Sequence, residues 1–254
     1  MKKMLSITLA SVLLFCLAAC DSGSEELTPY AAYVQASQKL AEADSYEAEM
    51  LMDLTMGAQG VSIDMGVEST VKQVKKGNSA DLEMQMAISM MGMSIDMTMY
   101  YTDGTAYMEV MGMKAKQPMS YDEALSQANY NVQFSEEAVK DAKIEQTSEG
   151  SVITFVLDKD AMNGALDGQL DGVLSGMMEG TEAGAMISDV AMIVTLDKSS
   201  ALKSMDMTFE MAMEMSGQQV DCTAHVVMNI MQQGGVSITF PDDLDSYEEA
   251  DTPM

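Results

Sequence analysis

Residues 205–215 read "MDMTFEMAMEM", with Met205, Met207, Phe209, Met211, Met213 and Met215 on the odd positions and Asp206, Thr208, Glu210 and Glu214 among the even ones. Methionine, alanine and glutamate are good helix formers, so propensity alone points to a helix. On a helix, however, alternate residues scatter around the whole circumference, whereas a pleated strand gathers them on one face. The period decides the matter. This stretch is a half-buried strand with its thioethers on one side and its carboxylates on the other.

The same period recurs along the chain. Tyr46, Ala48, Met50, Met52, Leu54 and Met56 alternate with a mostly polar set, as do Ile63, Met65, Val67 and Val71, then Leu82 to Met90, then Met93 to Tyr101. Asp103-Gly104 separates two such runs and is a strong hairpin signal, because both turn residues tolerate positive φ. Gly57 with Gly60, Gly77-Asn78 and Gly92 mark the other reversals. The first half therefore predicts a five-stranded meander ending near Lys114. Ahead of it, "TPYAAYVQASQKLAEAD" predicts a helix with Thr28 as N-cap and Pro29 in its first turn, its face formed by Tyr30, Tyr33 or Val34, Ser37 and Leu40 or Ala41.

Beyond Lys114, "SYDEALSQANY" and "FSEEAVKDA" read as two short helices, the second with Ser135 as N-cap. A hairpin follows about Glu149-Gly150. Met162, Leu166, Leu170, Val173 and Met177 fall at helical spacing, with glycines every four residues. Four strands complete the pattern, at 186–196, 202–215, 220–231 and 236–240. This makes an α+β, mostly antiparallel chain of about eleven strands, with a frayed acidic end at 241–254.

The first twenty residues, "MKKMLSITLASVLLFCLAAC", place two lysines before an apolar run too short to span a bilayer comfortably, the pattern of a secretory signal. "LAAC" at 17–20 looks like a bacterial lipobox, in which the signal is cut before Cys20 and the thiol is acylated. The expected organisation is a signal peptide at 1–19, a lipidated flexible tether at 20–27, one domain at 28–240 and the acidic tail at 241–254. The expected location is extracytoplasmic, anchored to the outer face of the cell membrane of a Gram-positive bacterium.

The full chain of 254 residues carries a formal charge of −27, with no arginine. Losing Lys2 and Lys3 with the signal takes that charge to −29. So acidic a chain is repelled by phosphate backbones and anionic headgroups, which excludes nucleic acid as a partner. Its partners are instead the membrane, through Cys20, and an apolar ligand; no protein partner can be named from the residues. Once Cys16 leaves with the signal and Cys20 is acylated, Cys222 has no cysteine to pair with.

Enzyme chemistry is hard to assemble from these residues. His225, the one histidine, stands three positions from Cys222 on an alternating strand, so the two face opposite ways and cannot form a nucleophile–base pair. No phosphate-binding glycine loop or nucleophile elbow is present. The reading is non-enzymatic, with no cofactor and no metal. The methionines, 30 in the full chain, leave three possibilities open. They can fill a core in place of leucine. They can bind a soft ion such as copper(I) or silver(I). Or they can line a concave sheet that repacks around apolar ligands, because the side chain is unbranched and polarizable.

The lipobox, the polar tether, the first helix, the "SYEAEMLMDLTM" strand, the "MYYTDGTAYMEVMGMK" hairpin and the final "ITFPDD" together resemble an uncharacterised family of Gram-positive surface lipoproteins. That family is similar to the LolA-like and mycobacterial LppX/LprG-like carriers. The resemblance implies a strongly curved, incomplete β-barrel with helices covering its concave side, and an acyl chain held in the hollow. By position, it makes Met50, Met52, Met84, Met86, Met97, Met99, Met207, Phe209, Met211, Met213 and Met228 the candidates to line a ligand.

Overall fold

The computed structural model describes residues 27–58, 61–128, 134–162, 186–215 and 218–250. Helix α1 (Pro29–Glu42) opens the described chain, with the Thr28 side chain accepting the Ala31 N–H at 3.2 Å. A meander follows: β1 (Ser45–Ala58), β2 (Val61–Lys76), β3 (Ser79–Met90), β4 (Met93–Thr102), β5 (Thr105–Val110) and β6 (Met113–Pro118). Helix α2 (Tyr121–Ala128) leads on to β7 (Val139–Thr147) and β8 (Gly150–Leu157). The short β9 (Met186–Ile187) precedes β10 (Val190–Asp197), β11 (Leu202–Met215) and β12 (Gln218–Gln233), and β13 (Glu248–Glu249) comes last.

These thirteen described strands form one curved, open sheet in the order β13-β6-β5-β4-β3-β2-β1-β12-β11-β10-β8-β7, with β9 beside β11. Every pairing is antiparallel except β13 with β6. The two meanders meet where β1 pairs with β12, in a register that runs from Tyr46 opposite Gln233 to Gly57 opposite Asp221. One bulge interrupts it after Glu47, leaving Met231 without a partner on β1; Met231 is exposed.

On the long strands that carry the alternation, the inward row is the one that the sequence period selects. Met50, Met52 and Leu54 on β1, Met205, Met207, Phe209 and Met211 on β11, and Cys222 and Ala224 on β12 are all buried. Helix α1 lies over the half of the sheet built from β1, β12, β11, β10 and β8. It buries Ala32, Tyr33, Ala36 and Leu40 there, a face turned by about one residue from the expected one. Tyr33 stacks on Phe134 with centroids 4.9 Å apart, and Phe134 meets Phe155 edge-on at 5.6 Å. A second cluster gathers Val71, Leu82, Met84, Met99, Tyr101, Ala106 and Met119 around Ala124 of α2. That helix starts on a reciprocal cap: Glu123 accepts the Ser120 N–H at 2.8 Å, and Ser120 Oγ accepts the Glu123 N–H at 3.2 Å.

Four expectations are corrected here. The fifth run is two strands, because the chain reverses again at Met111-Gly112 with φ of 52° and 81°. Met91-Gly92 turns in the same way at 52° and 81°. A methionine at positive φ is uncommon, and a two-residue turn of this hand requires it at both positions. Second, "FSEEAVKDA" is not a helix: Glu136–Ala138 makes a single 3-10 turn, and the rest is drawn into β7 by the free edge of β8, Ala142 against Phe155 and Ile144 against Ile153. Third, 236–240 is extended but unpaired, since the chain reverses at Gly234 and Gly235, with φ of 80° and 70°. Finally, residues 241–250 do not fray. On the outer face Phe240 packs on Tyr100 at 5.9 Å and Tyr247 meets Tyr107 edge-on at 5.6 Å. Lys114 Nζ reaches Asp243 at 2.6 Å, and β13 pairs beside β6, covering what would be an open edge. The helix expected across 162–177 lies outside the described residues from 163 onward.

Met207 and its neighbour Thr208 test the inside–outside assignment. Truncating a buried methionine costs about 2–5 kcal/mol, whereas a surface substitution stays within about 0.5 kcal/mol. Met207→Ala should therefore lower unfolding stability by that larger amount in urea titrations, and Thr208→Ala should leave it nearly unchanged. Equal effects would contradict the assignment.

Candidate functional site

Between the two core clusters the concave face is not filled. A cavity of about 140 Å³ lies between the C-terminal end of α1, which supplies Leu40 and Ala41, and α2, which supplies Tyr121 and Leu125. Its floor is the junction of the meanders: Tyr46, Ala48 and Met50 from β1, Ser69, Val71 and Gln73 from β2, and Met228 and Ile230 from β12. Register explains why these residues converge. Tyr46 stands opposite Gln73, Ala48 between Val71 and Ile230, and Met50 between Ser69 and Met228.

The chamber is apolar with a few neutral polar groups. Glu49 borders it, but lies one residue out of phase with the inward row, and its carboxylate accepts Asn229 Nδ2 at 3.5 Å. Lys75 borders it too, with its ammonium donating to Ala41 O at 2.6 Å at the end of α1. Burial, and then the neighbouring Tyr121 phenol, push the Tyr46 hydroxyl up to about 12, so it stays protonated at ordinary pH. Burial likewise raises Tyr121, followed by the charge of Asp122 and by Tyr101.

Two side chains stand out. Ser69 is 3% exposed and Gln73 5%, and both line the cavity. Neither Ser69 Oγ nor Gln73 Oε1 finds a hydrogen-bond partner among the described residues. A buried polar atom left unpaired costs about 1–3 kcal/mol, so each of these positions weakens the fold that contains it.

Of the residues expected to line a ligand, Met50 and Met228 border this cavity. Met52, Met207, Phe209 and Met211 are packed in the core under α1, and Met84 and Met99 in the core beside α2. Met86 and Met97 are half-buried against that second cluster. The side chain of Met213 lies outside the described residues, as do Cys20 and the whole of the signal and lipobox. Position alone did not single out Ser69, Gln73, Tyr46, Ile230 or the helix residues. A signal was present in β2, whose inward row runs Ile63, Met65, Val67, Ser69, Val71, Gln73. Two polar residues interrupt an otherwise apolar alternation, and both interruptions fall in the cavity.

Cys222 is buried inward, and desolvation pushes its thiol up to about 11. His225 faces the other way, with Nε2 3.0 Å from Asp206 Oδ1 on the outer surface. The two do not meet. Among the described residues no helix is long and apolar enough to cross a membrane, and no group of three or more histidine, cysteine or acidic side chains could hold a metal.

An open, mostly antiparallel curved sheet with an apolar concave side and a sheltered chamber is the class that this geometry defines. The chain belongs to the family described as "Family of unknown function (DUF6612)", which matches residues 30–247. No curated protein matches the sequence. Among solved structures, the chain is similar to LprF from Mycobacterium bovis, at 9% identity and a TM-score of 0.42 over 84% of this chain and 96% of that one. It is similar to a putative outer membrane lipoprotein-sorting protein domain from Vibrio parahaemolyticus, at 8% identity and 0.25 over 86% and 96%. It is also similar to a DUF1329 family protein from Desulfovibrio piger, at 10% identity and 0.26 over 82% and 93%.

Two expectations follow from the site. Ser69→Ala and Gln73→Leu each remove an unpaired buried polar atom, so each should raise unfolding stability in urea by about 1 kcal/mol; a loss of stability would mean that these atoms are satisfied. The folded protein should leave Cys222 unmodified by a thiol reagent at pH 8, and modification should appear with unfolding. Rapid labelling of the native state would contradict its placement.

Proposed function

We propose that the protein is a non-enzymatic extracytoplasmic lipoprotein, anchored to the outer face of the membrane through Cys20, that binds an apolar ligand such as a lipid or acyl chain on the concave face of its sheet. The observation that carries this reading is the unfilled chamber between α1 and α2, over a floor that includes Met50 and Met228. Its size is instructive. A dry cavity of about 150 Å³ takes a benzene-sized molecule, while sites for larger ligands run to about 300–1,000 Å³. As folded, the chamber holds the end of a chain. A whole lipid requires α1 and α2 to move apart.

Thioethers suit such a site, because an unbranched side chain changes rotamer at little cost and keeps contact with a chain of any shape. Methionine does not serve one role throughout. Under α1, Met207, Phe209 and Met211 act as an ordinary core; at the meander junction, Met50 and Met228 face the space. The large negative charge keeps a protein with so much apolar side chain soluble and holds it off anionic headgroups.

A Cys20→Ala form, exported and purified without detergent, should carry lipid mass in native mass spectrometry. Ala48→Trp, which fills the chamber from its floor, should remove that mass while the protein stays folded. An unfilled form that never carries bound mass would contradict the proposal.

A further inference from the structure

We infer that the ligand is an uncharged amphiphile whose head group donates a hydrogen bond, such as an alcohol or a hydroxyl-bearing ester, and that Gln73 and Ser69 read that head group. The inference rests on the reading that the chamber takes an apolar ligand. It goes further because the polar atoms of the chamber have a chemistry of their own.

Gln73 Oε1 can only accept a hydrogen bond, and it has no donor. It stands opposite Tyr46 on β1 and Leu82 on β3, near the α1 end of the chamber. Ser69 Oγ lies four residues along the same inward row, flanked by Met50 and Met86. At the usual rise the two are about 13 Å apart at the backbone, and the length of the glutamine side chain narrows that gap. A ligand lying along β2 therefore passes Ser69 with its apolar part or an ester oxygen and presents its terminal group to Gln73.

Charge excludes the obvious alternative, a free fatty acid. A carboxylate could accept from the Gln73 amide N–H, but it would bring no proton to Oε1 and would leave its own charge unmatched. Among the described residues, the cation that borders the rim is Lys75, and it is turned to the carbonyl of Ala41. The Tyr46 and Tyr121 phenols stay neutral, and the protein as a whole is strongly negative. An ionised ligand buried here would lack a counter-charge, whereas a hydroxyl satisfies the orphaned oxygen and needs none.

Three probes of equal chain length separate the possibilities: decan-1-ol, methyl decanoate and sodium decanoate. They would be titrated at pH 8 by calorimetry into lipid-free Cys20→Ala protein. A buried hydrogen bond that is otherwise unmade is worth up to about tenfold in affinity, so decanol should bind about tenfold tighter than the ester and at least as far above the carboxylate. Gln73→Leu should bring decanol down to the level of the ester and leave ester binding as it was, and Ser69→Ala, which meets only the alkyl part of decanol, should leave decanol binding as it was. Equal binding of all three probes, preference for decanoate, or an unchanged preference in Gln73→Leu would each overturn the head-group assignment and leave an apolar site standing. If none of the probes binds and no lipid co-purifies, the apolar site falls as well.

Discussion

The pairing of β1 with β12 is the constraint on which the rest depends. It joins strands whose partners lie nearly two hundred residues apart, Tyr46 with Gln233 and Met50 with Met228. Without it the chain would form two separate meanders, each with an exposed edge and an apolar face too narrow to shelter. With it, a single sheet curves far enough that α1 and α2 cover different parts of one concave surface. The chamber lies at the seam. Closing so long a loop costs entropy before any contact rewards it, so folding of this sheet depends on a late, non-local step.

The seam is also where packing is least complete. On the α1 side, large inward side chains such as Phe155, Met192, Met205 and Phe209 interlock with the helix and its aromatic neighbours. At the junction, Ala48, Ser69 and Val71 are small, and among the described residues the space above them, bordered by Leu40 and Ala41 of α1 and Tyr121 and Leu125 of α2, stays unfilled. Two unpaired polar atoms in a chamber of this kind make little sense as a device for stability. They make sense if the fold gives up some stability for a group that arrives from outside.

Strands were legible because alternation is a strong signal: the inward rows of β1, β3, β4 and β11 can be read directly from positions of methionine and leucine. The N-cap at Thr28 and the turn at Asp103-Gly104 were legible for equally local reasons. Other features depended on tertiary context. Methionine at positive φ gives no local warning, so the turn at Met111 has no clear mark in the sequence. Residues 139–147 follow a helix-favouring stretch and become a strand only because β8 offers them an edge. The candidate site was half legible. Period identifies which side chains face inward, but it cannot tell a packed methionine such as Met207 from one beside a space such as Met50, since a cavity is what remains after both helices have docked. The inward polar pair, Ser69 and Gln73, was written in the sequence as two breaks in a pattern.

The most direct test of the whole arrangement uses the methionines themselves. With the methyl groups of methionine labelled with carbon-13, lipid-free protein would be titrated with decan-1-ol and its methyl spectrum followed by NMR. The resonances of Met50 and Met228 should shift first and most, while those of Met207 and Met99 hold their positions. Shifts confined to the exposed Met91 and Met111, or centred on Met207 and Met211, would contradict it.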